Sequence, residues 1–324
     1  MAILIDNKVI PKKTKIRQMV TIPGTKVSIP ITVINGGVGP TVVISAGIHG
    51  SEYPGIAAII EIGRAINAEN INGCLVLIHP VNIQAFVERV AEVVPEDKVN
   101  INRIFPGNAK GTLAYKTAAF IMNEYIKKAD LYIDLHSGDI HEELHPYVYY
   151  PGKAKQDIIE RSKEIAKILN VEYMVKSYST TGSYNSAALN NIPGILIERG
   201  GKGYCSRKEI NSYKKDIFNI LNYLNVLKNP DYVNEQKTSP TDLYNLIYVQ
   251  AKETACWFHN LESGSKVKKG DLLGYTTDFF GEKINDYFAE FDAIILYFTP
   301  ALSVKEGTVL VAYGSLDEKI KIES

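Results

Sequence analysis

From about residue 41 to residue 227 the chain alternates short, nearly unbroken apolar runs with segments of helical periodicity. That alternation constrains the fold more than any other feature. The apolar runs are Thr41–Ala46 (TVVISA), 74–79 (CLVLIH), 129–135 (ADLYIDL), 147–150 (YVYY), 172–177 and Gly194–Glu198 (GILIE). A run without polar alternation fits a strand buried on both faces. Residues 54–67, 115–128, 154–169 and 207–227 carry the helical pattern, the first with Pro54 in its opening turn. Strands alternating with helices predict an α/β domain with a mixed, mostly parallel sheet flanked by helices. Ahead of it, residues 1–40 hold short β-like runs broken by Pro23-Gly24, Gly36-Gly37 and Gly39-Pro40.

The pattern changes after residue 229. The segment 229–242 holds two prolines and many polar residues and reads as a linker. Beyond it, Val, Ile, Tyr and Phe mix with turn-forming Gly, as in an all-β unit. Two copies of one pattern, Val267-Lys-Lys-Gly-Asp-Leu-Leu273 and Val304-Lys-Glu-Gly-Thr-Val-Leu310, suggest a barrel-like sandwich of two similar halves. Carrier domains look like this, but no lysine-bearing tip lies between the copies, so the repeat reads as structural. The expected division is therefore 1–229, a catalytic α/β domain with an N-terminal β segment, and 230–324, a C-terminal β domain.

With 324 residues and 36 Lys+Arg against 36 Asp+Glu, the formal net charge is +0. A balanced chain is a poor phosphate neutraliser, which argues against a nucleic-acid partner, and nothing marks a polybasic membrane surface. No apolar run is long enough to span a bilayer. The apolar stretch at the N-terminus ends at Asp6, too short for a signal-peptide core. Cys74, Cys205 and Cys256 are widely spaced and odd in number. They suggest reduced thiols and a cytoplasmic protein rather than a disulfide framework or cysteine zinc site. The expected partner is a small molecule, and a homo-oligomer is compatible with all of this.

Chemistry-bearing residues cluster just past the apolar runs. His49-Gly-Ser-Glu52 follows the run at 41–46. An imidazole and a carboxylate three residues apart across a strand-to-helix turn can meet one point and suit Zn²⁺. An isolated pair of this kind is usually solvated surface, but α/β proteins place ligands at carboxyl strand ends. Asp134-Leu-His136-Ser-Gly ends another run, so His136 would complete a His₂Glu set with one open position, the pattern of catalytic zinc. Asp134, on the same strand face, is either an acceptor behind His136 or a strand-end cap. Glu198 ends the run GILIE, where a carboxylate is costly without a partner. It reads as a salt-bridged strand end or as a general base. Arg103, in the loop Asn100-Ile-Asn102-Arg103-Ile-Phe-Pro106-Gly107, offers a planar fork for a carboxylate or oxyanion.

One competing match exists. His141-Glu-Glu-Leu-His145 fits H-E-x-x-H, which needs both imidazoles on one helical face. Pro146 pushes His145 out of the helical region, and the segment lies between two expected strands, so the match reads as coincidence. Asp139 or His141 could stand at the periphery of the site, while His79 and His259 read as structural.

Together, H-G-S-E near residue 50, N-I-N-R-I-F-P-G near 103, D-L-H-S-G-D near 136 and I-E-R-G-G near 198 resemble the succinylglutamate desuccinylase/aspartoacylase family of the zinc carboxypeptidase superfamily. The resemblance covers about residues 40–324, including V-K-K-G-D-L-L-G in the β unit. It implies one Zn²⁺ held by His49, Glu52 and His136, with Glu198 as general base. It also implies Asn102 and Arg103 as binders of a substrate carboxylate. A further Arg upstream polarises the scissile carbonyl in many members; here that stretch reads Val90-Ala91-Glu92, and the nearest candidate is Arg89. The implied activity is deacylation of a small N-acyl amino acid. A carboxypeptidase acting on peptides is the near alternative, and a non-catalytic metal-binding protein of the same fold a second.

Overall fold

The apolar runs become neighbouring strands of one sheet in the computed structural model, which describes residues 4–5, 8–229 and 239–320. After a short antiparallel pair, Leu4–Ile5 with Lys8–Val9, the main elements in chain order are β1 (Thr14–Thr21), β2 (Ser28–Asn35), β3 (Thr41–Ala46), α1 (Tyr53–Ala65), β4 (Cys74–Ile78), α2 (Ile83–Glu88) and α3 (Leu113–Glu124). They continue as β5 (Leu131–His136), β6 (Tyr147–Pro151), α4 (Gln156–Ala166), β7 (Tyr173–Ser177), α5 (Ser183–Leu189), β8 (Gly194–Glu198) and α6 (Arg207–Tyr223). The strand order is β7–β6–β8–β5–β3–β4–β2–β1. The central ladders β8/β5, β5/β3 and β3/β4 are parallel, as is β6/β7. The antiparallel pairs are β8/β6 and, at one edge, β4/β2 and β2/β1, so the sheet is mixed around a parallel centre.

Why the central strands lack polar alternation is plain from their packing. Odd and even positions enter different cores. Ile44, Leu77, Ile133, Leu135 and Ile197 pack with Ile59 of α1, Ile165 of α4 and Ile217 of α6. Val43, Val76, Tyr132 and Leu196 pack with Ala118 and Met122 of α3 and Ala187 of α5. Both faces are covered, so both must be apolar. By the same period of two, Ser45, Asp134, His136 and Glu198 belong to the α3/α5 face.

The C-terminal unit contains β9 (Thr241–Gln250), β10 (Ala255–His259), β11 (Leu272–Thr277), β12 (Lys283–Phe288), β13 (Ala293–Phe298) and β14 (Val309–Ser315). Strand β9 starts parallel to β7, with Tyr173 opposite Thr241, and then pairs antiparallel with β14, with Val249 opposite Val311. The large sheet therefore runs on into the β unit. A second antiparallel sheet, β12–β11–β10 plus Ser303–Val304, closes a separate core around Trp257, Leu273, Ile295 and Leu310. The architecture is α/β with a C-terminal antiparallel β unit. Most of the expected linker, residues 230–238, lies outside the described residues.

The repeat is structural in detail. Each copy is a two-residue strand, a turn and a longer strand. Gly270 and Gly307 sit at φ +88° and +82°, with open space where a Cβ would be, so the backbone angle alone favours glycine. In both turns the residue four positions after the valine donates its N–H back, Asp271 to Lys268 and Thr308 to Lys305, at 3.0 Å.

No helix carries the H-E-x-x-H match. Glu143–Leu144 is a short strand paired with β13, and the His145 N–H donates to the Leu296 carbonyl.

Candidate active site

Three adjacent strands of the parallel centre, β3, β5 and β8, end side by side. Beyond β3, Gly47 at φ +74° turns the chain, and Gly50 lets the loop approach α2 so closely that a Cβ would meet Ala85 backbone at 2.3 Å. This loop delivers His49 and then Glu52, the N-cap of α1. The Glu52 side chain makes no cap hydrogen bond; its oxygens turn to the histidines. His49 Nδ1 lies 2.6 Å from Glu52 Oε1, and His136 Nδ1 lies 3.0 Å from Oε2. The two rings cross at 84° with centroids 4.9 Å apart. One ligand atom from each of the three residues falls within 4.8 Å of the other two, and all three residues are buried.

The far side of each ring meets an oxygen. His49 Nε2 is 3.1 Å from Asn100 Oδ1. That atom also accepts the Asn102 N–H, which identifies it as the amide oxygen. His136 Nε2 is 3.1 Å from Asp134 Oδ2. Each Nε2 thus has an oxygen acceptor behind it, and each Nδ1 faces a Glu52 oxygen. Two imidazole nitrogens and a carboxylate converging on one point, each imidazole backed by an oxygen acceptor, fit a divalent cation. Asp134 accepts in addition from Ser45 Oγ at 2.6 Å and from Ser183 Oγ, and it is wholly buried. Of the two readings open for Asp134, the contacts are those of an acceptor behind His136.

Electrostatics separate the two glutamates. Burial pushes the Glu52 carboxyl up, but His136 and His49 outweigh it and hold the group down at about 2. Burial lowers the His136 proton affinity, and Glu52 and Asp134 overcome this to raise it well above the usual range. Burial pushes Glu198 up to about 8, opposed by His136 and Arg103 and reinforced by Glu52 and Asp134. Its Oε2 is buried without a hydrogen-bond partner. A divalent cation beside Glu52 would favour the ionised, proton-accepting form of Glu198.

His49, Glu52, His136 and Glu198 line one cavity of about 440 Å³, together with Asn102 and Arg103. Asn102 Oδ1 accepts the Ser183 N–H at 3.1 Å, which ties the 100–103 loop to the start of α5. Arg103 is exposed and, among the described residues, its guanidinium has no hydrogen bond or ion pair, so its fork is free to bind an anion.

A model of the succinylglutamate desuccinylase/aspartoacylase catalytic domain matches residues 38–224. The chain belongs to the succinylglutamate desuccinylase/aspartoacylase family. The N-alpha-acetyl-L-2,4-diaminobutyric acid deacetylase of Halomonas elongata is 24% identical over 300 residues, covering 91% of this chain and 87% of that protein. The product-bound ectoine utilization protein EutE (DoeB) of Ruegeria pomeroyi superposes with TM-score 0.85 at 25% identity, covering 94% of this chain and 97% of that one. A succinylglutamate desuccinylase from Silicibacter sp. superposes with TM-score 0.83 at 24% identity, covering 94% and 96%.

Against the family pattern, Arg89 stands apart. It caps the C-terminus of α2 at φ +60°, is exposed, and is not among the residues lining the cavity. It is therefore not brought to the substrate side of the site. The structure adds residues that the motifs do not announce. Ser183 donates its hydroxyl to Asp134 behind His136. Tyr147, Tyr149 and Tyr184 line the cavity from the α/β part, and Tyr248 and Tyr297 from the β unit. The alternation in Tyr147-Val-Tyr149 signals two rings on one strand face; Tyr248 and Tyr297 carry no such local signal. Asp139 and Glu142 line the cavity too, so part of the false zinc motif stands at the site without forming it. His79 and His259 lie elsewhere, the latter packed on Phe298.

Proposed function

We propose that this protein is a zinc-dependent deacylase that hydrolyses the amide bond of a small N-acyl amino acid. The supporting observation is the convergence of His49, Glu52 and His136 beside the unpartnered carboxylate of Glu198. On this reading those three residues hold one Zn²⁺ per chain. When bound, the ion would supply Lewis acidity, stabilising developing negative charge and lowering the pKa of water to about 7.

The chain's own residues do the rest. Arg103 binds the substrate carboxylate through its free fork, with Asn102 fixing the loop that carries it. That anchor orients the amide against the strand ends. The Glu198 carboxylate takes a proton from the attacking water and returns it to the nitrogen as the C–N bond breaks. One water is consumed, and a carboxylate and a free amine leave.

Size favours a small substrate over a peptide. The β unit contributes Tyr248, Gln250, Tyr297 and Val309 to the cavity wall, and Tyr149 and Tyr248 meet hydroxyl to hydroxyl at 3.1 Å across the two parts. Residues 1–229 then act as the catalytic unit, and 230–324 narrow its mouth. The test is hydrolysis of N-acetyl and N-succinyl amino acids and short peptides, with and without chelator. Chelator-sensitive release of amino acids supports the proposal; cleavage of peptides alone would transfer it to the carboxypeptidase reading.

A further inference from the structure

Two buried side-chain polar atoms in the cavity wall have no hydrogen-bond partner among the described residues: Glu198 Oε2 and Asn185 Oδ1. The proposed reaction uses the first and leaves the second idle. Asn185 is 3% exposed, so its oxygen is cut off from bulk water. A buried acceptor without a donor is costly, and native proteins keep few of them. The orientation of this amide is fixed. Its Nδ2 donates to the Thr181 carbonyl at 3.1 Å and faces Ser177 Oγ at 3.4 Å. A carbonyl only accepts, so the atom facing Thr181 is the nitrogen and the idle atom is the oxygen.

The helix that carries Asn185 is itself anchored to the site. At the start of α5 the Ser183 N–H donates to Asn102 Oδ1, next to Arg103, and the Ser183 hydroxyl donates to Asp134 behind His136. Asn185 follows two residues later and lines the same cavity as Arg103, His136 and Glu198. The chemistry of an N-acyl amino acid says which of its groups can meet this oxygen. Its carboxylate and its carbonyl only accept. The one donor that every such molecule carries is the N–H of the amide to be cleaved.

We infer that Asn185 is a substrate-binding residue whose Oδ1 accepts the N–H of the scissile amide, so that the enzyme selects secondary amides over the corresponding esters. This rests on the deacylase reading above. The contact also bears on the reaction. Once water has added to the carbonyl, the nitrogen carries one hydrogen and one lone pair. The C–N bond breaks, its electron pair going to nitrogen, as the proton from Glu198 lands on that lone pair. Asn185 comes from α5 and Glu198 from β8, so holding the hydrogen on the first leaves the lone pair to the second. A site built to pair with an N–H rejects analogues that lack it, because its own acceptor is then left unpaired.

The test uses matched pairs on the zinc-supplemented full chain: N-acetylalanine against O-acetyllactate, and N-acetylaspartate against O-acetylmalate. The first readout is kcat/KM. Asn185→Leu, close in size and without the acceptor, is expected to lower it by about tenfold or more for the amides and to leave the esters within about threefold. The ester rate also shows that the variant is folded with its metal site intact. The second readout is calorimetric binding to zinc-loaded Glu198→Gln. There the amide of each pair should bind about tenfold more tightly than the ester and lose that advantage when Asn185→Leu is added. Amide and ester rates that fall together, or equal binding of the two, overturn the inference. Amide hydrolysis unimpaired in Asn185→Leu removes it and leaves the deacylase reading. Amide-selective binding that Asn185→Leu abolishes, without hydrolysis of any compound, does the reverse.

Discussion

Glu198 and His136 are register partners in the parallel ladder of β8 and β5, so both side chains leave the same sheet face at the same level. A proposed base and a proposed ligand are thus set beside one another by backbone hydrogen bonding alone. Because Glu198 makes no hydrogen bond to His49, Glu52 or His136, its loss should leave metal binding intact. Glu198→Gln is expected to lower kcat by roughly 10²–10⁴-fold with metal content unchanged, measured by steady-state kinetics beside elemental analysis. Near-wild-type turnover would remove the base assignment.

Asp134 orients His136 from behind. It faces His136 Nε2 and accepts two serine hydroxyls in a wholly buried position. Replacing an acceptor of this kind typically weakens metal binding by 10–100-fold. Asp134→Asn should show that loss in competition with a chelator, and an unchanged affinity would show that His136 needs no such partner.

Tyr213 of α6 joins the two strand ends. Its hydroxyl donates to the His136 carbonyl, with the Ile197 and Arg199 carbonyls at 3.3 and 3.4 Å. The ring is fully buried in the core. Tyr213→Phe removes that donor, leaving the His136 carbonyl the Arg199 N–H at 3.3 Å, and should cost about 1 kcal/mol in urea unfolding. A stability equal to the wild type's would mean that the strand ends hold their spacing unaided.

The strands that carry the site were readable because burial on both faces leaves an unbroken apolar signature. Thr41–Ala46 and Gly194–Glu198 match their expected bounds. The helix α5, SYNSAAL, was not readable: short, polar and Gly-led, it is held by tertiary contacts such as Asn102 to Ser183 rather than by periodicity. The convergence of His49, Glu52, His136 and Glu198 followed from their places past strand ends. Arg89 did not follow, because sequence proximity to the Arg103 loop says nothing about which way an exposed helix cap points. Tyr248 and Tyr297 reach the cavity through β9 and β13, and only long-range sheet pairing reveals that.

His79 makes stability pH-dependent away from the site. Burial, then the charge of Arg17, pushes it down to about 4 from an ordinary 6.5, and its Nε2 has no hydrogen-bond partner. Between those values the unfolded chain binds the proton more readily than the folded one, so stability rises with pH there and is lost as pH falls from 6.5 to about 4. The full effect is about 3 kcal/mol. Urea unfolding of metal-free protein across this window should give a flatter profile for His79→Gln than for the wild type, and parallel profiles would exclude His79 as the source.

The account rests on three side chains from two strand ends meeting at one cation. Elemental analysis of zinc-equilibrated wild type, His49→Ala and His136→Ala, after gel filtration, measures this directly. One zinc per chain in the wild type and little in either variant is the predicted result. Full occupancy retained in both variants would contradict it.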